Sequence, residues 1–410
     1  MFPTEGAEGE KGEVMPQQYP KVTYKEEGMR EGMQIEDANI SIDDKVTLLD
    51  ALGETGLDHI VVGSFVSPRY TPQMARIDEL MQKFKPKEGV TYTALALNEQ
   101  GVERAKQYSP PLTLDRRGNR PGLSMHMCDV FARRNTNRSQ MQEMERWPQV
   151  IATAQERGIK EASIGANASM GSNFLGDFSA DVYIKLLEKQ HELWNDAGIE
   201  VTAASVGDPM SWCHPAKVEE IFYRVKEKWP EITHFSGHFH NARGMAIPSM
   251  YAAITSLGPD DELALDGTIG GFGGCPYCGN GRVTGMAPTE DAVHMMDDMG
   301  IDTGVDLDKL IDCVWMLEEI LGRSLYGHVS KAGPRPKTID KLYDMNAPFI
   351  ETPEQAKHFK TGSKAYEGGV SPWREPIKSP YRERVEKGLP AYEVDGDWPW
   401  SEGFFPKPSN

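Results

Sequence analysis

Hydrophobic and polar residues along the first 300 residues follow a pattern of alternating strands and helices. Short apolar runs rich in Val, Ile and Phe are typical of buried strands, and apolar residues at helical spacing follow them. In residues 41–52, for example, a capping serine precedes Val46, Leu48, Leu49 and Leu52. The pattern predicts strands over residues 21–29, 59–65, 90–97, 123–130, 161–165, 199–206, 233–239 and 262–266.

Helical stretches between these strands indicate a (β/α)8 barrel, the TIM-barrel fold. We predict helices over residues 41–52, 68–84, 98–107, 140–157, 180–197, 215–228 and 245–257. Catalytic groups of this fold lie at the C-terminal ends of the strands. The polar candidates at those ends are Arg30 and Glu31 after strand one, Ser64 at strand two, Asp208 after strand six, His238 and His240 at strand seven, and Cys275 after strand eight.

Strand seven carries a His-Phe-His triplet that can bind a metal ion. Side chains two residues apart in a strand project to the same face, so His238 and His240 can hold one ion together. A structural pair of histidines is the alternative interpretation of an isolated His-x-His. A structural zinc site that also uses Cys275 and Cys278 is a second alternative. The spacing Cys275-Pro-Tyr-Cys278 is also that of a dithiol oxidoreductase, although such sites directly precede a helix.

The pattern changes after residue 300. An apolar stripe from Leu307 to Leu321 predicts a helix in the core or at a subunit contact. From Ser324 the chain is rich in Pro and aromatic residues, and we expect it to wrap the barrel or a neighbouring subunit of a homo-oligomer, a dimer or larger. The expected regions are a disordered acidic tail over 1–20, a catalytic barrel over 21–300 and a helical and irregular extension over 301–410. The large rings of the extension are Tyr366, Trp373, Tyr381, Tyr392, Trp398, Trp400, Phe404 and Phe405.

Composition narrows the class of protein. Of the 410 residues, 39% are hydrophobic and 26% charged, which is typical of a soluble globular protein, and no apolar run is long enough to span a membrane. Five cysteines are too few for a disulfide framework, so we expect a reducing, cytoplasmic location. A net charge of -18 disfavours binding to nucleic acid. Two basic clusters are candidates for binding a polyanionic small molecule, with solvated loop charges as the alternative: Arg116, Arg117 and Arg120, then Arg133, Arg134 and Arg138.

Several motifs resemble those of 3-hydroxy-3-methylglutaryl-CoA (HMG-CoA) lyase, a member of the barrel metallolyase (DRE-TIM) superfamily. The resemblance runs from about residue 24 to 335. Its most specific parts are Ser-Phe-Val-Ser-Pro from residue 64 and Gly-Gly-Cys-Pro-Tyr from residue 273. The others are Arg-Glu-Gly-Met-Gln from residue 30, Gly-Asp at 207–208 and His-Phe-His-Asn from residue 238.

The resemblance implies a metal-dependent carbon–carbon lyase. It implies that Glu31, His238 and His240 bind a divalent cation, Mg²⁺ or Mn²⁺ with Zn²⁺ as an alternative, that Arg30 steadies an enolate, and that Cys275 is the catalytic thiol. These groups suit retro-aldol cleavage of a 3-hydroxyacyl thioester. The metal ion lowers the pKa of the substrate hydroxyl, the guanidinium of Arg30 stabilises the enolate oxygen, and the thiol of Cys275 protonates the enolate carbon. Asp208 is a candidate for accepting or relaying the first proton. The candidates for substrate binding are Gln34, Ser64, Arg133 and Arg134.

Three departures from the lyase pattern bear on the substrate. Val61 stands where the pattern has Glu, and Pro209 replaces a Thr. Met286 occupies the place of a ligand Asn, a role that Asn280 can take instead. We therefore expect a substrate that is a related acyl-CoA or hydroxy acid and not HMG-CoA itself.

Two other functions remain compatible with the residues. A Claisen-type acyltransferase that joins acetyl-CoA to a 2-oxo acid also uses Arg-Glu-Gly and His-x-His motifs. Glu31 in place of Asp is closer to that class, whereas its last loop carries Gly-Glu-Arg-Ala-Gly-Asn and not Cys-Pro-Tyr. The departures are also compatible with a barrel that has lost catalysis and only binds a ligand.

Overall fold

The computed structural model describes residues 18–96, 99–114, 120–279, 285–349, 360 and 368–392. These residues belong to two compact units, one that extends to Ser330 and one that begins at Lys331. No helix in the described ranges has both the length and the apolar character needed to cross a membrane.

Eight parallel strands form a single sheet in the first unit. The sheet order is β3-β2-β1-β8-β7-β6-β5-β4, so the first and last strands are neighbours, as in a (β/α)8 barrel. No ladder joins β3 to β4 within the described ranges. The predicted fold class is confirmed. The strands are β1 Lys21–Glu26, β2 His59–Ser64, β3 Thr91–Leu95, β4 Gly122–His126, β5 Glu161–Asn167, β6 Glu200–Asp208, β7 His234–Phe239 and β8 Glu262–Gly267.

Helices alternate with the strands. In α1, Ser41 accepts a hydrogen bond from the backbone N–H of Asp44, and Leu48, Leu49 and Leu52 are buried. The helices are α1 Ile42–Gly53, α2 Ile77–Lys83, α3 Glu99–Lys106, α4 Asp129–Thr136, α5 Gln140–Met144, α6 Trp147–Glu156, α7 Ala180–Asp196, α8 Pro215–Lys228, α9 Ala246–Thr255, α10 Thr289–Asp298, α11 Leu307–Leu321, α12 Val329–Ala332 and α13 Pro380–Glu386.

Three element predictions need correction. The strand predicted over 123–130 ends at His126, because Cys128 caps α4 by accepting from the N–H of Phe131. The helix predicted over 140–157 is divided into α5 and α6, since Pro148 lacks an N–H and suits only the first turn of a helix. The helix predicted over 68–84 begins only at Ile77, after a short 3₁₀ turn.

The first strand is also shorter than predicted. Its ladder ends at Glu26, and a single π-helical turn, Gly28–Gly32, follows. Arg30 and Glu31 therefore lie on this turn and not on the strand. The turn places them at the C-terminal end of the barrel, where catalytic groups of this fold are found.

The helix predicted beyond residue 300 belongs to the first unit. Helix α11 packs on α1 and α10, and it buries Leu310, Ile311, Val314 and Leu317. In the second unit, the ring of Phe349 meets that of Trp373 edge-on, and the rings of Tyr381 and Tyr392 lie 5.0 Å apart. Five other predicted aromatic residues lie outside the described residues: Tyr366, Trp398, Trp400, Phe404 and Phe405.

Candidate active site

Three ligand atoms converge at the C-terminal end of the barrel. Oε1 of Glu31 lies 3.2 Å from Nε2 of His240 and 3.9 Å from Nε2 of His238. The two Nε2 atoms are 3.1 Å apart. Atoms that share one ion at about 2.1 Å lie about 3 to 4 Å from each other. The carboxylate from the first βα loop and the imidazoles from β7 are thus spaced as ligands of a single cation.

The outer ring nitrogen of His238 supports the same interpretation. Nδ1 of His238 is 2.6 Å from Oδ1 of Asp266 on β8, which holds the proton on Nδ1 and turns the lone pair of Nε2 to the site. Nδ1 of His240 is buried without a hydrogen-bond partner among the described residues. Outer carboxylates of this kind are usual behind metal-binding histidines, so the donor set fits a divalent cation.

The charges around the three ligands keep Glu31 ionised. Burial alone would raise the pKa of Glu31, but Arg30, His238 and His240 hold it well below its ordinary value. Burial would lower the pKa of His238, but Asp266 and Glu31 raise it to about 9. Burial would raise the pKa of Asp266, but His238 and Lys25 lower it to about 2. Glu31 and Asp266 are therefore anions, and a metal ion at Nε2 of His238 would replace the proton there.

Arg30 lies beside this pocket. Its Nη2 is 2.8 Å from Oε2 of Glu31 and 2.7 Å from Oε2 of Glu27, and its Nε is 2.8 Å from the same Glu27 oxygen. The Arg30 hydrogen bonds within the described part of the chain use Nε and Nη2. The two N–H groups on Nη1 are therefore available to a ligand oxygen.

The thiol of Cys275 lies on a loop that packs directly on the turn carrying Glu31. Gly273 has φ +89°, and a Cβ there would lie 2.4 Å from Cα of Gly32 and 2.6 Å from the backbone oxygen of Glu31. Only glycine allows this close approach. Gly273 therefore allows the thiol-bearing segment to lie against the backbone of Glu31 and Gly32.

Three side chains hold the same loop by its carbonyl groups. Gln34 donates to Gly274 at 3.1 Å, Arg134 to Tyr277 at 2.8 Å and Asn173 to Cys278 at 3.1 Å. Two of the predicted substrate-binding residues, Gln34 and Arg134, thus bind the loop in this structure. Their role toward a substrate stays a prediction.

The two thiols of the Cys-Pro-Tyr-Cys segment differ. Cys275 is partly exposed and Cys278 is buried. A hydrogen bond to Cys275, together with burial, raises the pKa of Cys278 above its ordinary value. Among the described residues, the ligand group around Glu31 contains neither thiol, so the alternative structural zinc site is not formed.

The remaining candidates lie as follows. Asp208 is fully buried, and its two oxygens accept from the backbone N–H groups of Trp212 and Cys213 at 2.9 and 2.7 Å. It therefore holds the loop after β6, and its part in proton transfer stays a prediction. Ser64 ends β2 and is buried, whereas Arg133 is exposed and pairs with Asp129. Asn280, Arg116 and Arg117 lie outside the described residues.

Sequence reasoning missed three charged residues that the structure brings to the site. Lys25 and Asp266 are paired across β1 and β8, and Glu27 follows two residues after Lys25. The signal was present, because Lys25 and Glu27 alternate on one face of the strand that leads to Arg30. Asp266 is the last residue of the predicted strand 262–266, and the sequence did not predict that it supports a ligand.

Comparisons with known proteins point to one family. The HMGL-like family profile matches residues 21–316. A hydroxymethylglutaryl-CoA lyase of Bacillus subtilis is 32% identical over 308 residues, which are 75% of this chain and 96% of that enzyme. A 3-hydroxy-3-isohexenylglutaryl-CoA/hydroxy-methylglutaryl-CoA lyase of Pseudomonas aeruginosa is 30% identical over 312 residues, which are 76% of this chain and 97% of that enzyme.

A solved structure shows the same relationship. An HMG-CoA lyase from Acinetobacter baumannii, in complex with coenzyme A and 3-methylmalate, superposes with a TM-score of 0.60 at 25% identity and covers 78% of this chain and 96% of that chain. The chain therefore belongs to the HMGL-like family, and it is a metal-dependent carbon–carbon lyase of the HMG-CoA lyase type.

Proposed function

We propose that this lyase cleaves a 3-hydroxyacyl-CoA, or a related hydroxy acid, other than 3-hydroxy-3-methylglutaryl-CoA. The observation that carries the proposal is the coexistence of the convergent Glu31, His238 and His240 with a buried Val61 where the HMG-CoA lyase pattern has a carboxylate. The proposed metal ligands are retained, whereas the carboxylate of the pattern is replaced by the apolar side chain of Val61.

Mg²⁺ or Mn²⁺ is the proposed ion. One carboxylate and two imidazoles would hold it, and the open positions suit oxygen atoms of a substrate. When bound, the ion supplies a Lewis acid that lowers the pKa of the substrate hydroxyl.

Side chains of the protein are proposed to carry out the proton transfers and to stabilise the enolate. Asp208 is proposed to accept or relay the hydroxyl proton. The bond between the carbinol carbon and the α-carbon then breaks, giving a carbonyl product and a thioester enolate. The N–H groups on Nη1 of Arg30 are proposed to bind the enolate oxygen. Cys275 is proposed to give its proton to the enolate carbon, which completes the acyl thioester. The Cys275 thiol is partly exposed and lies at the strand ends, so a substrate can reach it.

The relatives support a range of acyl groups. The Pseudomonas aeruginosa enzyme is named for both 3-hydroxy-3-isohexenylglutaryl-CoA and hydroxymethylglutaryl-CoA. The Acinetobacter baumannii enzyme was solved with coenzyme A and the hydroxy acid 3-methylmalate. A family that accepts such ligands can accommodate a changed wall at Val61, Pro209 and Met286.

A thioester panel tests the proposal. The purified protein is incubated with Mg²⁺ or Mn²⁺ and with 3-hydroxyacyl-CoA thioesters that differ in the group on the carbinol carbon, HMG-CoA included. We expect kcat/KM for another member to exceed that for HMG-CoA by about tenfold or more, a difference of about 1.4 kcal/mol in transition-state binding. HMG-CoA as the best substrate of the panel would refute the altered-substrate proposal. Glu31→Ala is the inactive control.

The same preparation tests the condensing direction. Acetyl-CoA is supplied together with a panel of 2-oxo acids, and release of free thiol is followed. Release that depends on the 2-oxo acid would support the Claisen-type acyltransferase in place of the lyase.

A further inference from the structure

Glu27 is a buried carboxylate with a cation on each of its oxygens. Its Oε1 lies 2.6 Å from Nζ of Lys25, and its Oε2 lies 2.7 Å from Nη2 and 2.8 Å from Nε of Arg30. The residue is only 3% exposed. Burial would raise the pKa of Glu27, but Arg30 and Lys25 lower it, so the side chain is an anion.

This carboxylate competes with Glu31 for the same guanidinium. Nη2 of Arg30 contacts both Glu27 and Glu31, and Nε of Arg30 is taken by Glu27. An arginine without a second partner pairs with a carboxylate through two parallel hydrogen bonds. Glu27 prevents pairing of Glu31 through Nε and Nη2, because it occupies Nε and shares Nη2. Glu31 is thereby left with Oε1 directed to His240 and His238.

The position of Glu27 corresponds to a residue on the neighbouring strand. β1 and β2 pair Lys25 with His59 and Glu26 with Ile60, and Glu27 and Val61 are the residues that follow the last pair of this ladder. Residues paired in adjacent strands lie about 4.8 Å apart and project to the same face. The HMG-CoA lyase pattern has its carboxylate at the place of Val61.

A hydrogen bond shows which face of β2 Val61 occupies. Val61 shares a face with His59 two residues earlier, and the His59 ring is 2.9 Å from Oγ1 of Thr93, the residue paired with Val61 in β3. Lys25, paired with His59, bonds to Glu27. Glu27 contacts Lys25, and Val61 follows His59 on the same face of β2, so we place both side chains on one side of the sheet.

We infer that Glu27 is a positioning residue that brings from β1 the carboxylate that the lyase pattern has on β2. It holds the guanidinium of Arg30 so that Glu31 remains available to the cation and the Nη1 edge remains available to the substrate. The inference rests on the proposed metal site.

Moving the carboxylate back to β2 tests the inference. The variants are Glu27→Val, Glu27→Gln and the double variant Glu27→Val with Val61→Glu. Mn²⁺ affinity is measured without substrate, from the EPR signal of the free ion, and kcat and KM are measured on the best thioester of the panel. Glu27→Gln retains the shape of the side chain, which keeps the test informative if Glu27→Val does not fold.

The expected result is a loss and a rescue. Outer groups that support a metal site typically contribute about 10- to 100-fold to affinity or activity, and Glu27 acts on the ligand Glu31 through Arg30. We expect Glu27→Val to weaken Mn²⁺ binding and to lower kcat in this range with little change in KM, and Glu27→Gln to do so less. Adding Val61→Glu to Glu27→Val should restore most of the Mn²⁺ affinity and most of kcat. If Glu27 had only a structural role, a glutamate at position 61 would not restore Mn²⁺ affinity and kcat.

A matched control is Glu161→Val. Glu161 also pairs with an arginine, Arg120, but at the start of β5, the opposite end of the barrel. We expect it to leave Mn²⁺ affinity unchanged.

Two failures are distinguishable. If wild-type protein binds Mn²⁺ and Glu27→Val binds it equally well, or if Val61→Glu rescues nothing, the inference on Glu27 is wrong and the metal site stands. If wild-type protein binds no Mn²⁺, the metal site fails and the inference fails with it.

Discussion

Asp266 offers the sharpest test of the metal site, because it contacts a ligand without being one. Its Oδ1 lies 2.6 Å from Nδ1 of His238, and its Oδ2 lies 3.5 Å from Nζ of Lys25. The carboxylate sets the position of the proton on the imidazole and strengthens Nε2 as a donor. We predict that replacing Asp266 weakens metal binding while the ligands themselves remain.

The expected loss depends on what is substituted. Asp266→Leu removes both the hydrogen bond and the charge, and loss of such an outer partner costs about 10- to 100-fold in metal affinity. This corresponds to about 1.4 to 2.7 kcal/mol. Asp266→Asn retains the shape and an oxygen that can accept from Nδ1, so only the charge is lost. We expect Asp266→Asn to weaken metal affinity about tenfold and Asp266→Leu to weaken it about a hundredfold.

The measurement is a titration with Mn²⁺ in the absence of substrate. Repeating it at several pH values separates weaker coordination from competition by protons for His238. Asp261→Asn is the matched control. Asp261 is a buried carboxylate just before the same strand, where it accepts from Lys226 at 2.8 Å. We expect this control to lower thermal stability and to leave Mn²⁺ affinity unchanged.

Two results would refute the reasoning about Asp266. One is an Asp266→Leu variant that folds and binds Mn²⁺ as tightly as the wild type. The other is an equal loss of affinity in the Asp261→Asn control, since the effect would then follow from general destabilisation and not from support of His238.

Three further predictions concern the thiol loop and the core. Arg134→Ala removes the hydrogen bond to the Tyr277 carbonyl, which is worth about 1 kcal/mol. We therefore expect kcat to fall roughly fivefold and amide hydrogen exchange in the loop to become faster, while Mn²⁺ affinity is unchanged. Gly273→Ala should weaken Mn²⁺ binding about tenfold or more in the same titration, because its Cβ would lie 2.6 Å from the backbone oxygen of Glu31. Glu290→Gln should stabilise the protein at about pH 9 more than at about pH 5 in urea unfolding. Burial, with Asp291, raises the Glu290 pKa from 4.5 to about 8, so between these values the unfolded chain has lost a proton that the folded chain keeps. Wild-type stability therefore falls by about 1.4 kcal/mol per pH unit across that window, and Gln cannot show this fall. Unchanged kcat, unchanged Mn²⁺ affinity or a pH-independent difference would contradict the respective prediction.

The barrel and the metal ligands were within reach of the sequence for a local reason. Burial forces apolar residues into periods that differ between strands and helices, so their order can be read along the chain. His238 and His240 are two apart in a strand, and strand ends in this fold meet at one rim. The proximity of Glu31 to the two histidines was therefore predictable. In the structure, Oε1 of Glu31 lies 3.2 Å from Nε2 of His240 and 3.9 Å from Nε2 of His238.

Element boundaries were less predictable because caps and turns compete with periodicity. The sequence continued the first strand to residue 29, whereas the backbone leaves the ladder at Glu26 and forms one wide turn. The carbonyl of Glu27 accepts from the N–H groups of Arg30 and Glu31 at 3.0 and 2.7 Å in that turn. The loop of Gly273 lies against this turn, and such a long-range contact cannot be read from local periodicity.

By itself, the sequence determined the fold class, the strand that bears the histidines and the motif set of an HMG-CoA lyase type. Only the tertiary structure decided how the charges are shared: Arg30 between Glu27 and Glu31, Asp266 behind His238, and Asp208 on its own loop. The physical reason is range. Periodicity acts within a few residues, whereas a buried charge is stabilised by whatever partner the fold brings within about 3 Å, and that partner can be 200 residues away.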